Sequence, residues 1–208
     1  MQEATQQDWN KLLRMMKFLK ATPEVVLRME PDDMTLHWHW DASFAVHKDC
    51  KGHTGGVLTL GKGAAHSSST KHKLNARSST EAEIIAVDDG MGITLWSREF
   101  LTAQGVDIED SIPHQDNKSA ILLETNGKAS SSKRTRHINI RFFFVTDQVK
   151  KGNLTIRHCP TDQMLADYFT KPLTGSKFQE LWNKIMNPKD TNCIKSICSQ
   201  CEDTGDSS

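Results

Sequence analysis

Apolar positions along this chain change their spacing in a way that marks out its elements one after another. In residues 7–20, "QDWNKLLRMMKFLK", the side chains of Trp9, Leu12, Leu13, Met16 and Leu19 recur at helical spacing, and Thr22 with Pro23 stops the helix. A helix with one apolar stripe needs a surface to pack on, so this one reads as the tail of a preceding domain. Residues 34–46, "MTLHWHWDASFAV", alternate and are rich in aromatics, which predicts a strand ending near Asp41. Residues 53–70 read as two strands joined at Gly61-Lys62-Gly63, a hairpin. A long helix follows from about Ser79 to Ala103, with Ile84, Val87, Met91, Leu95 and Leu101 as its core positions and Gly105 as its stop.

The second half is shorter in its rhythm. "DSIPHQD" (110–116) predicts a strand and "NKSAILLE" (117–124) a helix. "NGKASSSKRTR" (126–136) is a basic, serine-rich loop of low complexity. Ile138, Phe142, Val145 and Val149 space another helix, ended by Gly152. "NLTIRHC" (153–159) predicts a strand, and "PTDQMLADYF" (160–169) a helix with Thr161 as its N-cap. Phe178, Leu181, Trp182 and Ile185 form the stripe of a last amphipathic helix, and a polar tail expected to be disordered follows Pro188. Strands and helices in this order predict an α/β fold with a mixed sheet flanked by helices.

Composition narrows the picture only slightly. The 208 residues suffice for one buried core with appendages, and 26 basic residues balance 26 acidic ones. Net charge therefore selects no partner, but its distribution is uneven. Between 126 and 158, Lys128, Lys133, Arg134, Arg136, Arg141, Lys150, Lys151 and Arg157 face Asp147 alone. Such a block is either a solvated face or a surface for phosphates. An odd set of five cysteines, with no signal peptide to be seen, predicts reduced thiols inside a cell. Cys193, Cys198 and Cys201 lack an evident fourth ligand for zinc and read as unpaired tail thiols. No stretch approaches a membrane span, so no membrane partner is expected.

Four acids share a telling placement. Asp41 interrupts an aromatic strand, Glu83 lies early in the long helix, Asp116 sits where a strand hands over to a helix, and Asp167 stands beside Leu165, Ala166 and Phe169. Carboxylates are rarely buried without partners, and a cluster of them suits a hard cation such as Mg2+ or Mn2+. Taken singly, each also reads as a cap or a surface acid, and spacing alone does not bring them together. "SSTEAE" poses a related question. With Ser78 as N-cap, Glu81 at N3 completes a capping box and Glu83 is free; with Thr80 as N-cap, Glu83 is the box partner. Local rules leave the two readings level.

Several stretches, however, resemble one family: "DASFAVH" (41–47), "KGHTGG" (51–56), "STKHKLNARSSTEAE" (69–83), "QDNKSAILLE" (115–124), "SSSKRTRHINIR" (131–141 and flank) and "PTDQMLADYFTKPL" (160–173). In order and spacing they resemble the ribonuclease H domain of copia-type LTR retrotransposon polyproteins. "DWNKLLRMMKFLKATPE" resembles the end of the reverse transcriptase upstream. The resemblance implies a ribonuclease H-like fold, a five-stranded mixed sheet with helices on both sides. It divides the chain into a reverse transcriptase tail (1–30), the ribonuclease H-like domain (31–173), a C-terminal helix (174–188) and a tail (189–208). The pattern departs from the family at His114 and Gln115, where an aromatic and a cysteine are usual, at Lys118, where glutamine is common, and at Phe143, where histidine is frequent.

The same resemblance implies that Asp41, Glu83, Asp116 and Asp167 are catalytic and hold two Mg2+ ions, Mn2+ being the alternative, and it favours Glu83 over Glu81 as the ligand. The implied reaction is hydrolysis of the RNA strand of an RNA–DNA hybrid by two-metal-ion catalysis during reverse transcription. Lys133, Arg134, Arg136 and Arg141 would meet phosphates, and Asn117 would either contact a 2′-hydroxyl or cap its helix. His137 and His158 have a supporting or a structural role. The implied partners are the hybrid and the polyprotein's own reverse transcriptase, and the implied setting is the cytoplasm, in virus-like particles. The alternative is an inactive remnant that binds nucleic acid without cutting it.

Overall fold

The computed structural model describes residues 4–126 and 139–190, with the backbone alone for 139–142. The first helix, α1 (Gln6–Ala21), starts on a capping box in which the Thr5 hydroxyl accepts from the Asp8 N–H and the Asp8 carboxylate accepts from the Thr5 N–H. It buries none of its residues, and Trp9, Leu12, Leu13, Met16 and Leu19 all stand exposed. Among the described residues, its one ring contact to the rest of the domain is Phe18 edge-on to Phe178 at 6.2 Å. The helix is thus local in origin, held by its cap and propensity rather than by packing.

The next segment is stitched down. The Arg28 N–H donates to the Met186 carbonyl at 3.0 Å, and Asn187 donates to the Arg28 carbonyl. Strand β1 (Glu30–Pro31), within which the boundary expected at 30/31 falls, pairs with β4 (Gly61–Lys62). Gly61 and Gly63 both need positive φ, at 103° and 78°, to carry the chain round this corner.

The main sheet contains β2 (Leu36–Ser43), β3 (His53–Thr59), β5 (Ala64–Lys71), β6 (Ser111–Gln115) and β7 (Arg157–His158). Their order is β5-β3-β2-β6-β7, with β3 antiparallel to β2 and β5, and β6 parallel to β2 and β7. Period-two alternation puts the apolar side chains of β2 on one face of the sheet. Leu36, Trp38 and Trp40 pack with Val87 and Met91 of α2 (Ser79–Ala103) and Val145 of α4 (Asn139–Lys150). Across the sheet, Val57 and Ala64 pack with Leu165 and with Leu181 and Ile185 of α6 (Gly175–Met186). Helix α3 (Lys118–Asn126) closes a smaller cluster of Ala120 and Leu123 on Ile84. The architecture is the five-stranded mixed sheet with helices on both faces expected for a ribonuclease H-like fold. No helix among the described residues is long and apolar enough to cross a membrane.

Two expected elements differ. Only Arg157 and His158 of the stretch 153–159 join the ladder; Leu154 and Ile156 pack into the core, and ahead of the strand the Thr155 N–H donates to the Ser111 carbonyl at 2.9 Å. The helix expected over 160–169 is broken into a 3-10 turn, Thr161–Gln163, and a short α5 (Asp167–Thr170). Met164 between them is extended and fully buried, and Thr161 is not an N-cap.

Helix α2 lies unusually close to the sheet. The indole of Trp40, stacked on Trp38 at 5.1 Å, lies between two glycines. A Cβ at Gly56 would meet this ring at 2.1 Å, and one at Gly90 at 2.3 Å. Gly90→Ala should therefore cost about 2 kcal/mol, as overpacking does in a rigid core. Urea melts of the variant would check it; a change under about 0.5 kcal/mol would mean that α2 can lift away freely.

Candidate metal centre

The approach of α2 delivers a carboxylate to the sheet. At its start the Ser78 hydroxyl accepts from the Glu81 N–H at 3.2 Å, so Ser78 is the N-cap. Glu81 turns back to accept from the N–H of Arg77 at 2.8 Å, one residue before the cap, so the reciprocal half of the expected box is displaced by one. Glu83 is left to face the sheet, where it accepts from the Ala42 N–H at 3.1 Å.

Asp41 and Asp116 come to the same place from neighbouring parallel strands. Asp41 lies near the C-terminal end of β2, and Asp116 follows directly on β6. Ligand atoms of Asp41, Glu83 and Asp116 all lie within 4.8 Å of one another, the one such group among the described residues. Asp167 is buried nearby but falls outside that group; its Oδ1 accepts from Lys171 Nζ at 2.7 Å. The same ammonium stands 3.8 Å from Asp41 Oδ1. Structure thus brings together three of the four acids directly and the fourth through a lysine.

Hydroxyls and an amide orient these groups. Thr170 donates to Asp41 Oδ2, and Thr161 donates to Asp116 Oδ2 at 3.0 Å. Gln115, fully buried, accepts from the backbone N–H of Asp116 at 2.9 Å and of Asn117 at 3.3 Å. None of Thr161, Thr170, Lys171 or Gln115 was expected at the site. The spacing of Lys171 four residues after Asp167 is the one local signal that could have found a partner.

Burial dominates the electrostatics. It pushes the Glu83 carboxyl up to about 9, with the Asp41 and Asp116 charges adding to it. Burial likewise raises Asp41 to about 6, against the Thr170 hydrogen bond and Lys171, which favour its charged form. For Lys171 burial works against the charge, but Asp167 and Asp41 overcome it and hold the proton above the ordinary lysine range. Carboxylates so crowded repel one another unless a cation compensates them, and an all-oxygen donor set suits a hard divalent ion.

The remaining expected residues fall elsewhere. Asn117 caps α3: its Oδ1 accepts from the N–H groups of Ser119 and Ala120 at 3.0 and 3.1 Å, which is the capping alternative of its two readings. Its amide nitrogen is not used in that cap. Lys133, Arg134, Arg136 and His137 lie outside the described residues, as do the side chain of Arg141 and the three tail cysteines. His158 is exposed on β7.

Two histidine groups border the acids. His39 and His114, paired across β2 and β6, stack at 4.6 Å, and His37 Nδ1 meets His114 Nε2 at 3.0 Å. Burial holds His39 down at about 3 and His114 at about 4, each helped by its histidine neighbours, so both rings are neutral. Beyond Asp41, His47 Nε2 meets His53 Nδ1 at 3.0 Å, His53 Nε2 meets Ser69 Oγ at 2.7 Å, and Ser69 donates to the Phe169 carbonyl at 2.8 Å.

No family model matches the chain. The retrovirus-related Pol polyproteins from transposons RE2 and RE1 of Arabidopsis thaliana are each 33% identical over 184 residues, 87% of this chain. That from transposon TNT 1-94 of Nicotiana tabacum is 29% identical over 172 residues, 82% of it. The chain spans only 12% to 13% of the length of these relatives. Among solved structures, LC11-RNase H1 in complex with an RNA/DNA hybrid is 17% identical with a TM-score of 0.47, covering 64% of this chain and 92% of that one. The RNase H domain of PFV is 16% identical with a TM-score of 0.45, covering 65% and 88%. By its sequence matches, and with the sheet described above, this chain belongs with the Pol polyproteins of copia-type retrotransposons as their ribonuclease H-like part.

Proposed function

We propose that the domain is a nuclease that hydrolyses the RNA strand of an RNA–DNA hybrid, with Asp41, Glu83, Asp116 and Asp167 as the residues that hold its divalent ions, two of Mg2+ or Mn2+. The observation that carries this reading is the meeting of Asp41, Glu83 and Asp116 within 4.8 Å at the C-terminal ends of two parallel strands. Bound there, divalent ions would polarise the scissile phosphate and supply an activated water.

The chain's own residues prepare that chemistry. Asp41, shared by both sides of the cluster, is fixed by Thr170, and Asp116 by Thr161. The Ala42 N–H aims Glu83 inward. With these oxygens held, little reorganisation remains for the reaction itself. No serine, cysteine or histidine nucleophile is required. The amide nitrogen of Asn117, beside Asp116, suits a 2′-hydroxyl, the group that distinguishes RNA from DNA. Lys133, Arg134, Arg136 and Arg141 supply the charge for phosphates, and the exposed apolar stripe of α1 fits the reverse transcriptase of the same polyprotein.

Purified protein incubated with an end-labelled RNA–DNA hybrid and Mg2+ should cut the RNA strand and spare duplex DNA, and EDTA should stop it. Hybrid binding without cutting, from a folded chain, would leave the inactive-remnant reading in its place.

A further inference from the structure

The acidic cluster is divided by charge. On one side, Asp41, Glu83 and Asp116 converge, and among the described residues no ion pair reaches Glu83 or Asp116. On the other side, Asp41 and Asp167 share a basic group that the protein itself provides. Lys171 follows α5 by one residue, and its backbone N–H donates to the Asp167 carbonyl at 3.0 Å. That turn carries the side chain back over Asp167. Its ammonium then sits 2.7 Å from Asp167 Oδ1 and 3.8 Å from Asp41 Oδ1. Both carboxylates are buried, whereas the lysine is 37% exposed, so it covers them from the solvent side. Asp41 Oδ2 is meanwhile taken by the Thr170 hydroxyl.

We propose that Lys171 is a built-in counter-cation that makes the two ion positions unequal. Resting on the metal reading above, this inference goes further: it names the residue that sets the order of filling. A cation held by Asp41, Glu83 and Asp116 would meet Lys171 at Asp41 alone, 3.8 Å from its Oδ1, and would leave the closer ammonium contact to Asp167 intact. A cation held by Asp41 and Asp167 would have to replace the ammonium, which already lies 2.7 Å from Asp167 Oδ1. The exposed side of the lysine and its flexible stem let it swing outward when that happens. A second ion would therefore be the weaker one, and in the domain without metal Lys171 offsets part of the carboxylate charge.

The test counts ions directly, without reference to activity. Mn2+ is titrated calorimetrically into the full chain, the Lys171→Gln and Lys171→Met variants, and Lys171→Arg as the charge-keeping control. Thermal melts in metal-free buffer check that each is folded. Wild type and Lys171→Arg should take up one ion well and a second weakly. Either neutral variant, if folded, should bind the second ion at least about tenfold more tightly, the scale of a charge coupling in a half-exposed site. The neutral variants should also melt lower without metal and recover more on adding it. Identical isotherms for all four chains would overturn the role of Lys171 and leave the metal reading standing. No Mn2+ uptake by any of them would overturn that reading, and this inference with it.

Discussion

Asp41→Asn should lower hybrid cleavage by at least about a thousandfold, roughly 4 kcal/mol of barrier, while the metal-free protein becomes more stable. Asparagine keeps the shape of the side chain and can still accept from Thr170, so the packing of β2 is undisturbed. What it loses is the charge that both sides of the cluster share. In the wild type, burial raises the Asp41 carboxyl to about 6 from its ordinary 3.8. Between those two values the unfolded chain releases a proton that the folded chain retains. Stability therefore falls as pH rises through that window, and at neutral pH the cost stands in full unless a cation is bound. The variant escapes that cost and gains nothing from metal. Melting curves at neutral pH, with and without excess Mg2+, would then cross: the wild type rises with Mg2+ and the variant does not. Retained cleavage in Asp41→Asn would mean that the ions are held elsewhere.

Glu124→Met should stabilise the domain by about 3 kcal/mol at pH 7 and by far less at pH 4. Glu124 is fully buried on α3, and neither carboxylate oxygen meets a hydrogen-bond donor among the described residues. Burial alone pushes its carboxyl up to about 8 from an ordinary 4.5. Below 4.5 the group is neutral in both states and its ionisation costs nothing. From 4.5 to 8 the folded chain holds a proton that the unfolded chain has lost, so stability declines by about 1.4 kcal/mol per pH unit. Above 8 the loss is complete. Methionine is of similar length and carries no charge, so it removes the slope and fills the same space. Urea melts at several pH values give the difference between the two proteins. A gain that does not grow between pH 5 and pH 8 would show that Glu124 is not the ionisation responsible.

Periodicity sufficed for most of this architecture, because the elements bury their own stripes. In β2, Leu36, Trp38 and Trp40 alternate with His37, His39 and Asp41, and that alternation is what separates the core from the site. Long-range demands overrode it at Thr161. Local rules make that residue a helix cap, but its hydroxyl is drawn to Asp116, 45 residues away in sequence, and the helix breaks into a turn. Spacing likewise does not reveal that Asp41, Glu83 and Asp116 meet. Taken singly, each also reads as a cap or a surface acid, and only the parallel pairing of β2 with β6 and the close seat of α2 on Trp40 bring them together. The family resemblance supplied that information in advance. It did not supply Lys171, Thr170 or Gln115, whose parts depend on the direction of side chains after the chain has folded. Nor did it convey that a departure such as His114 would be absorbed by stacking on His39.

The string from His47 through His53 and Ser69 to the Phe169 carbonyl has a polarity that its far end dictates. A carbonyl only accepts, so the serine hydroxyl spends its proton there. It can then only accept from His53 Nε2, which must carry the ring's hydrogen. His53 Nδ1 is left as a bare lone pair, and His47 must carry a hydrogen on Nε2. Every donor in the string points the same way, towards α5. A proton added to His53 would set two N–H groups face to face, and burial together with His47 already disfavours that charge. The loop between β2 and β3 is thereby fastened to the helix that carries Asp167 by a one-way wire through two imidazoles, which acid would cut at His53, its middle link.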